Sequence, residues 1–265
     1  MEKSNLKKAL YEDMRETLIR YKEKGILSNI NLPDISKMTT EITNNRTDTG
    51  IDKSSKYIRK FVKTYNNRDY ICTLFDNSII QASYKFMNNN GDAEGEEGKS
   101  EEKNLILHKA VLAYYPNPGL GTQDFYDIQF AVNDDERDEL INLSLVLEED
   151  YKFSSNYIRM EYSSEDMDYT PFLHPCTHMH IGANNSLRVA VNRMLFFSEF
   201  IDFILHTYYQ ENWLRVVFNL SKEESLRERE WDFREYIKNK EDFIRNNKME
   251  TRITELEEKH YLLSL

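Results

Sequence analysis

The feature that most constrains this chain is a change of hydrophobic period along its length. Apolar residues recur every three or four positions at both ends and every two positions through the centre. Leu6, Leu10, Tyr11, Met14, Leu18 and Tyr21 predict a first helix that Gly25 stops, and Tyr57, Ile58, Phe61, Val62 and Tyr65 predict a second. Between them, residues 31–45 are polar and turn-rich, with a short helix expected after Pro33. In the centre, residues 70–75 and 79–87 read as two strands joined by the Asp76-Asn77-Ser78 turn, and residues 105–115 as a third, closed by Pro116-Asn117-Pro118-Gly119. Ile80, Ala82, Tyr84 and Phe86 alternate with Gln81, Ser83 and Lys85, as a sheet with one apolar face requires. Residues 125–132 are a candidate fourth strand, and 134–150 are acidic and mixed. Residues 156–162, 177–183 and 187–191 are read as strands, the last two as a hairpin closed by Asn184-Asn185. A wide apolar stripe from Phe200 to Tyr209 then predicts a helix with Ser198 as its cap. Helices first, strands together and helices last give an α+β fold with a central antiparallel sheet flanked by N- and C-terminal helices. The expected layout is one α+β domain over 1–220 and a charged helical tail over 221–265.

Composition excludes several classes. Aromatic residues make up 12% of the chain, with 17 Tyr and 14 Phe, which is too many for a disordered polymer. No apolar run approaches the roughly 18 residues of a membrane span, and no apolar signal core follows Met1. Two cysteines, Cys72 and Cys176, cannot build a disulfide framework, so a reducing cytoplasm is the expected compartment. Residues 88–102 hold three glycines and a crowd of acids and read as an exposed loop. The net charge of -11 argues against general binding to nucleic-acid backbones, although Lys53, Lys56, Arg59, Lys60 and Lys63 form a local basic face. Pro118-Gly119-Leu120-Gly121-Thr122 lacks the lysine and spacing of a phosphate loop.

The chemistry concentrates in one string. Three of the six histidines fall within His174-Pro175-Cys176-Thr177-His178-Met179-His180. In a strand, the period of two places His178 and His180 on one face and Met179 and Ile181 on the other. His174 can fold back to the same face across the proline turn. Converging imidazoles suit acid–base work on a phosphodiester or similar ester, or the binding of a transition metal with a position left for water. A third reading needs no function, only histidines on a polar sheet face. No H-E-x-x-H or paired CxxC signature occurs, so neither a metal nor any other cofactor is assigned from the sequence. Cys176 reads as a small packed residue rather than a nucleophile. Arg159 and Glu161 alternate on one strand face, and taken alone they read as a structural ion pair. Arg188 lies across the hairpin from the histidines, where a guanidinium could hold an anionic group. His108 could join the face from the third strand, His206 reads as a packed or capping residue, and His260 as solvated.

Several of these strings also resemble a known family. Asp76-Asn77-Ser78-Ile79-Ile80-Gln81, Tyr84-Lys85-Phe86, His108-Lys109 and Tyr114-Tyr115-Pro116-Asn117-Pro118 resemble the first half of an uncharacterised bacterial family, domain of unknown function 2290. Ile158-Arg159-Met160-Glu161-Tyr162, the string from His174 to Gly182, Leu187-Arg188-Val189 and Phe200-Ile201-Asp202-Phe203-Ile204 resemble its second half. The resemblance covers roughly residues 55–215 and implies no activity. The expected site is therefore His174, His178, His180, Arg159, Glu161 and Arg188, in a hydrolase or nuclease working on a phosphodiester or similar substrate. Its expected setting is a bacterial defence or toxin module. The competing expectation is a non-catalytic subunit whose residues 221–265 meet a protein partner.

Overall fold

The computed structural model describes residues 6–34, 40–43, 57–88, 105–120, 156–165, 175–182, 187–191, 193–218 and 238. Helix α1 (Leu6–Glu23) is followed by the short strands β1 (Leu27–Ile30) and β2 (Glu41–Thr43). Helix α2 (Tyr57–Asn66) leads into β3 (Cys72–Leu74), β4 (Ile79–Asn88) and β5 (Leu105–Tyr115). Strands β6 (Ile158–Ser163), β7 (Thr177–Ile181) and β8 (Leu187–Ala190) complete the sheet, and α3 (Phe197–Tyr208) and α4 (Gln210–Phe218) follow. The eight strands form one sheet in the order β1-β3-β4-β5-β6-β7-β8, with β2 also on β4. Every pairing is antiparallel. The expected α+β architecture is the one observed.

Strand β4 is long because it serves three partners. Its first residues pair with β3 (Cys72 with Ile80) and its later ones with β2 (Ile42 with Tyr84), while β5 runs along the other edge. Strands β1 and β2 were not expected from the sequence. Leu27-Ser28-Asn29-Ile30 and Glu41-Ile42-Thr43 are too short to display an alternation, and pairing with β3 and β4 makes them strands. The helix expected after Pro33 falls on residues 35–39, outside the described residues, as do the expected strand at 125–132, the acidic segment 134–150 and the loop at 89–102.

The alternation in the centre divides the sheet into two dissimilar faces. Ile80, Ala82, Tyr84, Leu112, Tyr114, Ile158, Met160 and Met179 pack against α1, α3 and α4 in the larger core, with Leu10, Met14, Phe197, Phe200 and Ile204 fully buried. The opposite face carries Gln81, Ser83, Val111, Ala113, Arg159, Glu161, His178 and His180 in register. At one end of this second face α2 lays Tyr57, Ile58, Phe61 and Val62 over Ile79, Ala113, Tyr115 and Tyr157, a smaller aromatic core. The fold thus leaves polar side chains on a face whose neighbouring ground is hydrophobic.

Helix ends show which local signals act. Gly25 has φ 72°, and the bonds Gly25 N–H to Lys22 O and Ile26 N–H to Tyr21 O close α1 in a Schellman turn. Helix α3 corrects the sequence reading, because Ser198 lies inside the helix and Phe196 occupies the cap position. The Phe196 N–H donates to Glu199 Oε2 at 2.9 Å, and the Ser198 N–H donates to Asp13 Oδ2 at 3.0 Å. A carboxylate on α1 therefore satisfies the first turn of α3, where it also meets the positive end of the helix dipole. The same two helices are joined by Tyr21, whose hydroxyl contacts Asp202.

Candidate functional site

Register assembles the site from β6, β7 and β8. Arg159 pairs with His180 and Glu161 with His178, while His180 pairs with Arg188 and His178 with Ala190. Directly opposed residues place their side chains close on one face, so five of the six expected site residues share one stretch of sheet. His174 lies outside the described residues. The contacts centre on Glu161. Its Oε2 lies 3.2 Å from His180 Nε2 and 3.3 Å from His178 Nε2, and its Oε1 lies 2.9 Å from Arg159 Nε. The two imidazoles meet edge to face, with ring centroids 4.7 Å apart.

Burial differs from the sequence expectation. Alternation on a polar strand suggested solvent-facing histidines, whereas His178 and His180 are 2% and 1% exposed and Arg159 is 7% exposed. Glu161, with its side chain 26% exposed, is the solvent side of the cluster. The pairing of Arg159 with Glu161 does have the structural role that the strand suggested, but it belongs to a four-residue arrangement. Arg188 is exposed.

The histidine orientations carry information about protons. His178 Nδ1 lies 2.9 Å from the Pro175 carbonyl oxygen. A carbonyl only accepts, so Nδ1 carries a proton and Nε2 faces Glu161. Pro175 thus sets the orientation of a histidine three residues away. For Glu161, burial opposes ionisation, but the contacts with His178 and His180 and the charge of Arg159 outweigh it and hold the carboxyl well below the usual range. His180 is moved the other way from easy protonation. Burial lowers its proton affinity, the Glu161 contact opposes this, and the charges of Arg159 and His178 add to the lowering. Tyr157, buried beside Arg159 with its ring tilted against that of Tyr115 at 4.9 Å, is pushed up to about 12, chiefly by burial.

The family model described as an uncharacterized conserved protein (DUF2290) matches residues 26–265. The chain belongs to that family. The match extends on both sides of the 55–215 stretch that the sequence strings suggested. It takes in β1 and β2 as well as the whole histidine face. No curated protein and no solved structure matches the chain. Membership of the DUF2290 family therefore comes without an activity.

Other residues singled out in the sequence, and Arg193 just beyond β8, have separate places. His108 sits where the β4–β5 register shifts and contacts Ser164 Oγ at 3.0 Å and Glu165 Oε1 at 3.1 Å, so it does not join the imidazole pair. Arg193 forms two 2.8 Å bonds with Glu199 and holds the start of α3. His206 lies exposed in the last turn of α3 and meets the Trp213 ring edge-on at 4.8 Å, a place at the helix end that fits the expected packed or capping residue. Cys176 is buried in the larger core, as a small packed residue would be. The residue that sequence reasoning undervalued is Pro175, whose contribution is a backbone oxygen and leaves no side-chain signature. Lys53 and Lys56 of the basic face, and the tail at 219–237 and 239–265, fall outside the described residues. Among the described residues, no helix is long and apolar enough to cross a membrane.

These proton affinities set the expected response to pH. Below about 6.5 the unfolded chain binds a proton at residue 180 that the folded chain resists, so acidification through that range destabilises the fold. Below about 4.3 the unfolded carboxyl at residue 161 binds a proton before the folded one does, which adds a second loss. Each group contributes a slope of at most about 1.4 kcal/mol per pH unit. Melting temperatures measured in a chelator from pH 8 to about pH 2 should show His180→Gln flattening the upper step and Glu161→Gln the lower one. Parallel curves for parent and variants would contradict this assignment.

Proposed function

We propose that this chain is a hydrolase of phosphodiesters or similar anionic esters, a nuclease being the favoured case, with His178, His180, Glu161 and Arg159 as its centre. The observation that carries the reading is the convergence of both Nε2 atoms on Glu161 Oε2. Pairs of imidazoles oriented by a carboxylate are the means by which proteins activate water and protonate a leaving oxygen near neutral pH. Buried Arg159, beside the histidines, supplies fixed positive charge where an ester oxygen would become anionic, and Arg188 extends that charge to the exposed end of the strand pair. The partly exposed carboxylate marks the direction of approach. Substrate binding is thus local, in a protein whose net charge is -11.

A structural ion-pair cluster would also perturb the proton affinities of these groups. Turnover separates the two readings. Bis(p-nitrophenyl) phosphate and labelled single- and double-stranded DNA and RNA, incubated with tag-free protein with and without divalent metal, should reveal cleavage of at least one substrate. Cleavage by the parent that survives in Glu161→Gln and His180→Gln would place the chemistry elsewhere. The role in a defence or toxin module is proposed on the same basis, with cleavage of nucleic acid as its natural chemistry. Loss of protection or toxicity in cells carrying the two variants is the corresponding test.

A further inference from the structure

We infer that Glu161, His178 and His180 form a three-donor site for one divalent transition-metal ion, bound through Oε2 of the carboxylate and Nε2 of each imidazole. The three donor atoms lie within 4.8 Å of one another. The two nitrogen-to-oxygen separations, 3.2 and 3.3 Å, match the edge of about 3.3–3.4 Å that tetrahedral bonds of about 2.0–2.1 Å require.

Ligand orientation points the same way. With Nδ1 committed to the Pro175 oxygen, His178 turns its Nε2 toward a carboxylate oxygen 3.3 Å away. An imidazole nitrogen and a carboxylate oxygen at that distance are placed to bind one ion together. A histidine ligand that donates its other N–H to a backbone carbonyl is the arrangement that fixes an imidazole for metal binding. Glu161 is oriented as well, because Arg159 engages Oε1 at 2.9 Å and leaves Oε2 for the histidines. All three donors project from paired positions of β6 and β7, so the site is held by the sheet ladder. Two imidazoles and one carboxylate, without a thiolate, suit zinc, cobalt or iron(II) rather than magnesium, which prefers oxygen ligands. A remaining position would take water or an ester oxygen, and the Arg159 charge in the same cluster would favour an anion there. The use of that position rests on the hydrolase reading. The binding of the ion does not.

Cobalt(II) reports both binding and geometry. Tag-free protein stripped with a chelator and titrated with cobalt should take up one equivalent, displaced by zinc, with the visible bands of a tetrahedral ion and no thiolate charge-transfer band. Glu161→Gln, whose side chain is partly solvent-exposed and nearly unchanged in shape, should retain the parent's circular dichroism and weaken binding by at least about tenfold. His180→Ala should do the same or more. Absence of stoichiometric uptake by the parent overturns the inference, and so does equal affinity in folded Glu161→Gln. Hydrolysis by metal-free protein would keep the enzyme and overturn the use of the metal in its reaction. Cobalt uptake at these residues without turnover of any phosphodiester would keep the metal and remove the enzyme.

Discussion

His180→Ala is expected to reduce phosphodiester turnover by about 10²–10⁴-fold, the usual cost of losing one imidazole from acid–base or water-activating machinery. The same change should lower stability by about 1–3 kcal/mol, because the ring is 1% exposed and its removal leaves Glu161 without one of its close partners. A loss of activity in the alanine variant alone therefore does not identify a catalytic group. His180→Gln separates the two effects, since the amide fills much of the volume and can still donate to Glu161 Oε2, but cannot shuttle a proton at neutral pH. Turnover measured well below each variant's melting temperature should remain suppressed in His180→Gln while stability recovers. Recovery of both would make the histidine a packing residue and end the catalytic reading.

The sheet was legible where strands were long and one-sided. Strand β5 runs from Leu105 to Tyr115, as its alternating apolar residues and the closing Pro116 indicate, and the period of two places His178 with His180 and opposite Met179. Pairing was legible as well, since a short connection after Ile181 brings Arg188 next to His180. Burial was not. A strand reading Thr-His-Met-His-Ile has the pattern of one wet face and one dry face, whereas here every residue from Thr177 to His180 is buried. Polar residues in that pattern can go inside only when they satisfy one another, and the partners, Arg159 and Glu161, are separated from the histidines in sequence by nearly 20 positions. Long-range satisfaction also explains α3. Ser198 is a strong local cap signal, but Asp13 supplies the acceptor from α1, and no local pattern shows that. Glu161 is the instructive case. Its sequence context suggested an ordinary ion pair with Arg159, and only the register of β6 against β7 turns the same carboxylate into the meeting point of two imidazoles.

Phe200→Ala is expected to destabilise the fold by about 3–5 kcal/mol, enough to leave a chain of ordinary stability close to its unfolding threshold. Phe200 is fully buried on the inward side of α3, in the core that α1, α3 and α4 form with one face of the sheet. The cost has two parts: the lost transfer of a large ring from water, and the cavity left where neighbours cannot close in. Closing in is difficult here because α3 is tied at its start. Asp13 accepts from the Ser198 N–H, Glu199 accepts from the Phe196 N–H, and Arg193 clamps Glu199 with two 2.8 Å bonds. Ile19, 46% exposed on α1, supplies the control, since Ile19→Ala removes little buried surface and should change stability by no more than about 0.5 kcal/mol. Urea denaturation with matched slopes measures both. The comparison also bears on the histidine face. That face lies across the sheet from Phe200, so a Phe200→Ala protein held well below its melting temperature should keep the cobalt affinity of the parent. A large drop in metal affinity in the folded variant would show that the geometry of Glu161, His178 and His180 depends on packing of the opposite face, and that the strand ladder alone does not hold the site.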